Sequence, residues 1–251
     1  MTCRHGALPN LLALAAVPVI ASAAGHHWSY SGETGPSHWA GLEPGYAACG
    51  IGKAQSPIDI KTADVRRQKM PPLSFHYEPT SLHVIDNGHT IQVNLSLGNS
   101  LAIAGDRYQL VQFHFHHPSE EEIDGKHSDM VAHLVHKDAG GNLAVVAVLL
   151  KKGSANPLVG TLWKNIPKEK GKEAQVDAVT INVADLLPEK RGYYTFQGSL
   201  TTPPCSEGVR WFVLKSPTTV SAEQVAGFGK LYAMNARPVQ PLNGREIAAS
   251  K

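Results

Sequence analysis

The segment Val111-Gln112-Phe113-His114-Phe115-His116 alternates along its length and indicates a β-strand. Neighbouring side chains on a strand point to opposite faces, so the two histidines share one face while Phe113 and Phe115 occupy the other. A strand of this kind presents two metal ligands side by side. The segment therefore predicts a sheet protein with a candidate metal site on one strand face.

Further strand-like runs lie on both sides of this segment, separated by turn signals such as Asp86-Asn87-Gly88. The run 143–150 is apolar throughout, as expected for a strand that is covered on both faces. Helical segments are few and short, so we expect a mostly β fold. The predicted strands are 82–85, 91–95, 111–116, 131–135, 143–150 and 210–214, and the predicted helices are 154–166 and 221–234, the second one capped by Ser221.

Composition limits the class of protein. The 251 residues contain no repeat and no linker-like tract, which favours one domain. Hydrophobic residues make up 42% and charged residues 18%, which excludes disorder. A net charge of +2 is too small to hold nucleic acid, so we expect a small partner. The 13 histidines, against 3 cysteines, indicate metal or proton chemistry.

The N-terminus has the organisation of a secretory signal peptide. A positive region precedes an apolar run at 11–20, and small residues follow, which predicts cleavage after Ala23 or Ala24. The alternative, a membrane anchor, needs about 20 apolar residues, and this run is too short. We therefore expect a signal peptide at 1–23, a single domain at 24–251, no membrane partner, and export to the periplasm or beyond the cell.

Export bears on the cysteines. Cys3 leaves with the signal peptide, so Cys49 and Cys205 remain as an even pair in an oxidising compartment. This favours a disulfide between them. The alternative is two free buried thiols.

A third histidine lies where a neighbouring strand could bring it to the first two. His133 follows His116 by seventeen positions, beyond a turn and within the run 131–135. An antiparallel neighbour would place it on the face of His114 and His116. Three neutral imidazoles with an open fourth position are typical of a catalytic zinc site. The alternative is a pair of hydrogen-bonded histidines with no metal.

Most other histidines are interpreted as solvated or hydrogen-bonded in the core. His136 is three positions from His133 and faces the opposite side of the same strand. His89 is the exception, because it follows a turn at Asn87-Gly88 and could reach a cavity rim. A pKa near neutrality would suit it to carry protons.

Several separate motifs, in family order, resemble the α-class carbonic anhydrases of bacteria. The resemblance extends from about His27 to Arg245 and implies a single domain around a large, twisted, mostly antiparallel sheet with short helices at its edges. The motifs are His27-Trp28-Ser29-Tyr30, Gln55-Ser56-Pro57-Ile58-Asp59-Ile60, Asn87-Gly88-His89, Gln112-Phe113-His114-Phe115-His116, Pro118-Ser119-Glu120, Ala132-His133-Leu134-Val135-His136, Ser199-Leu200-Thr201-Thr202-Pro203-Pro204-Cys205, Trp211-Phe212-Val213-Leu214-Lys215 and Asn235-Ala236-Arg237-Pro238.

This resemblance implies reversible hydration of carbon dioxide to bicarbonate and a proton, through hydroxide on one zinc ion per chain. His114, His116 and His133 match the zinc ligands. It also suggests a homodimer. The other matching residues are Thr201 and Glu120, which orient the hydroxide; His89, the proton shuttle; Gln112, which orients the first ligand; Val135, Val145, Leu200, Val209 and Trp211, which form the carbon dioxide wall; Tyr30 and Thr202 on the water-ordering side; and Cys49 with Cys205, the disulfide.

One position near the ligands departs from the family pattern. A glutamate usually stands two residues before the third ligand, whereas this chain has Val131 there. Valine cannot accept the other ring proton of His133. Loss of such a partner typically costs about 10–100-fold in metal affinity or activity, so the sequence predicts faster zinc exchange unless water or another group substitutes. His117 and Glu121 also replace residues that are more usual in the family.

Two other classes fit part of the pattern. The spacing His114-x-His116-x-x-x-Glu120 suits a cupin, in which the glutamate would be a third ligand to iron or manganese. The glycines expected before the first histidine and a later Pro-x-Gly-x-x-His segment are missing, however. The second alternative is a non-catalytic binding protein on the carbonic anhydrase fold. The complete set of three histidines with Thr201 and Glu120 argues against it.

Overall fold

The computed structural model describes Met1 and residues 27–251. The predicted signal peptide at 1–23, apart from Met1, and the cleavage positions Ala23 and Ala24 lie outside the described residues. The signal peptide therefore stays a prediction. All strands and helices of the described chain lie within residues 27–251.

Within residues 27–251 the chain forms sixteen strands, many of them short. They are β1 (Asp59–Ile60), β2 (Arg66–Gln68), β3 (Ser74–His76), β4 (Thr80–Asp86), β5 (Ile91–Asn94), β6 (Ser100–Ile103), β7 (Asp106–His116), β8 (Glu122–Ile123), β9 (Lys126–His127), β10 (Met130–Lys137), β11 (Leu143–Lys152), β12 (Glu173–Ile181), β13 (Tyr193–Ser199), β14 (Glu207–Leu214), β15 (Thr218–Val220) and β16 (Ala248–Ser250).

Thirteen of these described strands form one large mixed sheet with the order β12-β4-β5-β7-β10-β11-β14-β13-β16-β2. At its sides, β6 pairs with β3 and β7, and β15 pairs with β11. Most pairs are antiparallel, while β11–β14, β11–β15 and β16–β2 are parallel. The predicted single-domain, mostly β fold is confirmed. A separate small sheet has the order β1-β8-β9.

All six predicted strands are present, and the apolar run in β11 explains why the centre of the sheet is buried. The seven residues from Ala144 to Leu150 are all buried. Val146 and Val148 belong to the main core on one face of the sheet, whereas Val145 belongs to a second apolar cluster on the other face. Because side chains alternate along a strand, an uninterrupted apolar sequence covers both faces.

Four short α-helices lie among the described residues: α1 (Trp39–Leu42), α2 (Ala48–Ile51), α3 (Pro157–Lys164) and α4 (Ala222–Leu231). Both predicted helices exist. The hydroxyl of Ser221 accepts the backbone N–H of Gln224, whose side chain accepts the N–H of Ser221, and this capping box starts α4. None of the helices in the described part of the chain is long and apolar enough to cross a membrane.

Cys49 and Cys205 form a disulfide with an S–S distance of 2.07 Å, so the favoured pairing is confirmed. The bond joins α2 to the loop that precedes β14. The buried Arg237 side chain lies beside it and donates hydrogen bonds to the carbonyl oxygens of Cys49 and Ser56 and to the side-chain oxygen of Gln55. These contacts fix the loop next to the predicted active site.

Replacement of both Cys49 and Cys205 by serine should lower the free energy of unfolding by about 2–5 kcal/mol, because the disulfide restricts the unfolded chain. The bonded residues are 156 positions apart, so the closed loop is long. Urea denaturation monitored by tryptophan fluorescence measures the change. A reductant should shift the midpoint of the wild-type chain and leave the double variant unaffected; equal midpoints for both proteins would contradict the expectation.

Candidate active site

The three candidate ligands lie on one face of two neighbouring strands. His114 and His116 belong to β7, and His133 belongs to β10, which runs antiparallel to it. His133 stands directly opposite His114 in the register of the two strands. Opposed residues point to the same side of a sheet, so all three rings converge.

The rings are close enough to share one ion. Their centroids are 5.0 Å apart for His114 and His116, 5.5 Å for His114 and His133, and 4.7 Å for His116 and His133. One nitrogen from each ring lies within 4.8 Å of the other two. His116 and His133 are buried, whereas His114 is partly exposed to a small cavity.

Two rings are held by acceptors at their Nδ1 atoms. The Nδ1 of His114 lies 2.8 Å from Oε1 of Gln112, and that of His116 lies 2.7 Å from the backbone carbonyl oxygen of Asn235. A carbonyl oxygen only accepts, so each Nδ1 carries the proton and leaves Nε2 with a free lone pair. The Nε2 of His116 is buried and has no hydrogen-bond partner among the described residues.

His133 has an acceptor too, but from an unexpected position. Its Nε2 lies 2.9 Å from Oε1 of Glu121, twelve residues earlier in the chain. Val131 is fully buried and leaves this role to Glu121. Another group thus substitutes for the missing glutamate, so the condition under which faster zinc exchange is expected is not met.

Burial sets the protonation of the rings. Desolvation, with a contribution from His133, lowers the pKa of His114 to about 3 and that of His116 well below its ordinary value. Both rings are therefore neutral at pH 7. Burial also disfavours the charged form of His133, but the charge and hydrogen bond of Glu121 outweigh this and raise its pKa.

A second buried carboxyl group, Glu120, lies beside the ligands. Its Oε1 accepts the backbone N–H of Arg237 at 2.8 Å and lies 3.5 Å from Nδ1 of His116. Burial raises the pKa of Glu120 to about 7, against the opposing effects of His133, the Arg237 N–H and the nearby side chain of Thr201. The structure thus brings Thr201 and Glu120 together.

A polar cavity of about 120 Å³ opens beside the rings. Tyr30, His89 and Thr202 line it together with His114 and His116. These residues come from distant parts of the sequence. The cavity therefore joins the candidate proton carrier and the candidate water-ordering residues to the candidate ligands.

The ring of His89 stacks on that of Trp28 with a centroid distance of 3.7 Å and an interplanar angle of 7°. The side chain of Asn87 accepts the backbone N–H of His89 at 2.9 Å. Burial, with smaller contributions from His27 and Lys170, lowers the pKa of His89 from its ordinary value. The ring is therefore neutral at pH 7 and able to accept a proton.

An apolar cluster adjoins the ring of His133. Val135 pairs with Val145 across β10 and β11, and Val145 pairs with Trp211 across β11 and β14. Val209 belongs to the same buried cluster, and Leu200 packs against it. The Trp211 ring lies 5.0 Å from that of His133. All five candidate wall residues thus share one surface.

Sequence reasoning missed three contributors to the site. The Asn235 carbonyl and the Arg237 backbone N–H are main-chain groups, which no residue type identifies. Glu121 stands out in the sequence only as a residue unusual for the family. By contrast, His136 is a buried core histidine, as interpreted from the sequence, with its Nε2 at 2.7 Å from the hydroxyl of Tyr77.

The donor set fits a zinc ion. Zinc accepts neutral imidazole nitrogens, and three such ligands leave a fourth position for solvent. Within the described residues this group contains only histidines, and the buried Nε2 of His116 has no hydrogen-bond partner there. The adjacent Glu120 instead engages Arg237.

Comparisons with known proteins agree with this geometry. A family model described as eukaryotic-type carbonic anhydrase matches residues 34–251. A carbonic anhydrase of a Nostoc species is 43% identical, covering 88% of this chain and 85% of the relative, and one of Pectobacterium carotovorum is 46% identical, covering 88% and 90%. The structure of an α-carbonic anhydrase from Thermovibrio ammonificans in complex with sulfanilamide superposes with a TM-score of 0.86 at 46% identity, covering 90% of this chain and all of the other.

The chain belongs to the eukaryotic-type carbonic anhydrase family. Membership implies an enzyme that hydrates carbon dioxide, with carbon dioxide, water and bicarbonate as its substrates and products. The cupin interpretation is wrong, because the fold is that of the carbonic anhydrases and Glu120 does not belong to the ligand cluster.

Proposed function

We propose that this chain binds one zinc ion through His114, His116 and His133 and thereby catalyses the reversible hydration of carbon dioxide. The observation that carries the proposal is the convergence of three ring nitrogens while the opposite nitrogen of each ring is held by a protein oxygen. Family membership supports the reaction, and the donor set supports the metal.

The ligand atoms would be Nε2 of His114, Nε2 of His116 and Nδ1 of His133, because the other nitrogen of each ring donates to the protein. A zinc ion held by three imidazoles makes water acidic enough to supply hydroxide near pH 7, an effect for which the carbonic anhydrases are the standard example. The chain keeps two of the rings neutral by burial and fixes all three by hydrogen bonds.

Thr201 and Glu120 would orient the hydroxide. When Glu120 is ionised, its carboxylate only accepts hydrogen bonds, so Thr201 would donate its hydroxyl proton to it. The Thr201 oxygen would then be left to accept a hydrogen bond from the hydroxide that a bound zinc ion would supply, and this contact would aim the hydroxide at the substrate. Because Glu120 is itself held by the backbone of Arg237, the direction is fixed before substrate arrives.

The apolar surface suits carbon dioxide. The substrate has no charge and no hydrogen-bond donor, so it loses little when it leaves water. The adjoining strands beside His133 carry Val135, Val145 and Trp211. These apolar side chains do not require carbon dioxide to form hydrogen bonds. Bicarbonate is charged and well hydrated, and the polar cavity would give it a route to solvent.

His89 would carry the proton that each hydration releases. It lies on the polar cavity, its ring is neutral at pH 7, and stacking on Trp28 fixes its position. Tyr30 and Thr202 line the same cavity and can hold water between the rings. Transfer through water to buffer would then regenerate the hydroxide.

The function is tested by zinc analysis combined with stopped-flow hydration of carbon dioxide. The chain should retain about one zinc ion, lose activity when zinc is removed and regain it when zinc is restored.

His116→Ala should lose both zinc and activity, whereas Thr201→Ala should keep zinc and lose rate by about 100-fold, since its hydroxyl orients the reacting oxygen. His76→Ala, at an exposed strand position, is the control. Full activity without zinc would refute the proposal.

His89→Ala should lower kcat by about 10-fold or more in dilute buffer, because positioned proton carriers contribute large factors. Added imidazole should restore the rate. Only the neutral ring accepts a proton, and burial lowers the pKa of His89 from 6.5, so the acid limb of the wild-type kcat profile should lie below pH 6.5. An unchanged kcat in dilute buffer would remove His89 from this role.

We also propose that the chain is exported, with residues 1–23 as a signal peptide. The disulfide between Cys49 and Cys205 supports this, because such bonds persist mainly in oxidising compartments. The periplasm or the extracellular medium would then be its location. Mass spectrometry of protein produced from the full sequence in a bacterium should find Ala24 or Gly25 at the N-terminus, and a purely cytoplasmic, uncleaved chain would contradict it. The homodimer and the absence of nucleic-acid and membrane partners stay predictions.

A further inference from the structure

Two consecutive glutamates, Glu120 and Glu121, are buried beside the histidine rings, and only the first is assigned to orienting the hydroxide. The side chain of Glu121 is fully buried, and its Oε1 lies 2.9 Å from Nε2 of His133. Its Oε2 accepts no hydrogen bond from the described residues. Burial of a carboxylate costs free energy, and here a contact with one ring nitrogen must offset that cost. Such an arrangement indicates a function for the contact.

The strand that carries His133 offers no acceptor of its own. Val131 lies two residues before His133, on the same strand face, and is fully buried in the apolar cluster of that face. On β7 the residue at the equivalent position is polar: Gln112 lies two residues before His114, and its side chain contacts the His114 ring. A longer polar side chain at position 131 could therefore reach His133 in the same way.

The loop around Glu121 is braced so that its carboxylate stays in place. The hydroxyl of Ser119 donates to the backbone carbonyl of Glu121 at 2.7 Å and accepts the backbone N–H of Ser128 at 2.8 Å. The backbone N–H of Ser119 donates to the carbonyl of Ser128 at 3.1 Å. Glu122, the next residue, enters β8 and pairs with β1. The backbone is therefore held both before Glu121, at Ser119, and after it, at Glu122.

We infer that Glu121 is the positioning residue for His133: its carboxylate accepts the Nε2 proton, fixes the tautomer with Nδ1 free, and replaces an acceptor at position 131. The inference rests on the proposed function in that the free Nδ1 is assigned to zinc. The valine at 131 then fills apolar space that a third carboxylate would otherwise share with Glu120 and Glu121. The exchange keeps one acceptor for the ring while avoiding three clustered buried charges.

The test compares zinc dissociation, measured by transfer to a chromogenic chelator, among variants of the full chain. Glu121→Ala should release zinc about 10–100-fold faster than wild type. Glu121→Gln keeps a neutral acceptor, as Gln112 does for His114, and should be intermediate. The double variant Glu121→Ala with Val131→Glu should return the rate to within a few-fold of wild type. Glu122→Ala is the matched control, because that neighbouring carboxylate contacts His127 instead, and it should leave the rate unchanged.

A second readout reports the ring directly. In ¹⁵N-edited NMR, the Nε2–H of His133 should give a slowly exchanging signal in wild type, with or without zinc. The signal should be lost in Glu121→Ala, shifted in Glu121→Gln and regained in the double variant. A general loss of packing would not be repaired by a new carboxylate at position 131. If Glu121→Ala does not fold, Glu121→Gln and the double variant still decide the matter.

The outcomes separate this inference from the proposed function. If wild type binds no zinc, the proposed function fails, while the Nε2–H signal still tests the pairing of Glu121 with His133. If wild type binds zinc but Glu121→Gln has an unchanged dissociation rate and an unchanged His133 signal, the positioning role is overturned and the function stands. If the double variant releases zinc no more slowly than Glu121→Ala, the inference that Glu121 replaces an acceptor at position 131 is also overturned.

Discussion

The site depends on one register, the antiparallel pairing of β7 with β10 that sets His133 opposite His114. A slip of one residue would turn His133 to the opposite face, because strand side chains alternate. Burial on that opposite face prevents the slip, since Phe113, Phe115 and Leu134 pack there into the main core. The candidate metal site therefore takes its geometry from apolar packing on the reverse side of the strands.

Burial gives the rings their chemistry but makes an unpaired polar group costly. It keeps His114 and His116 neutral, which makes their lone pairs available. The same burial would be costly for Glu120 and for the Arg237 guanidinium without hydrogen bonds. Arg237 connects both needs, because its backbone N–H holds Glu120 while its side chain fixes the loop at the disulfide. The reacting groups and the covalent link are thus parts of one network.

The sequence predicted what local patterns encode. Period-two alternation marked β7, continuous apolar residues marked β11, and Ser221 marked the start of α4. The edge strand β12 was missed because its alternation breaks where Asp177 and Ala178 are both exposed, and its pairing with β4 is interrupted between Val176 and Thr180. Main-chain acceptors and contacts between distant segments have no local signature. The Asn235 carbonyl, 119 residues from His116, could not be found by spacing.

The three rings share one physical requirement. Each ring needs an oxygen that accepts its outer proton, and each receives one differently: from Gln112 on the same strand, from the Asn235 backbone, and from Glu121 on a loop. The physical requirement is the direction of one N–H bond, not the residue type at a given position. A valine at position 131 is therefore consistent with an intact ligand when the acceptor comes from a neighbouring segment. A departure from a family motif should be assessed by whether the bond it served is still made.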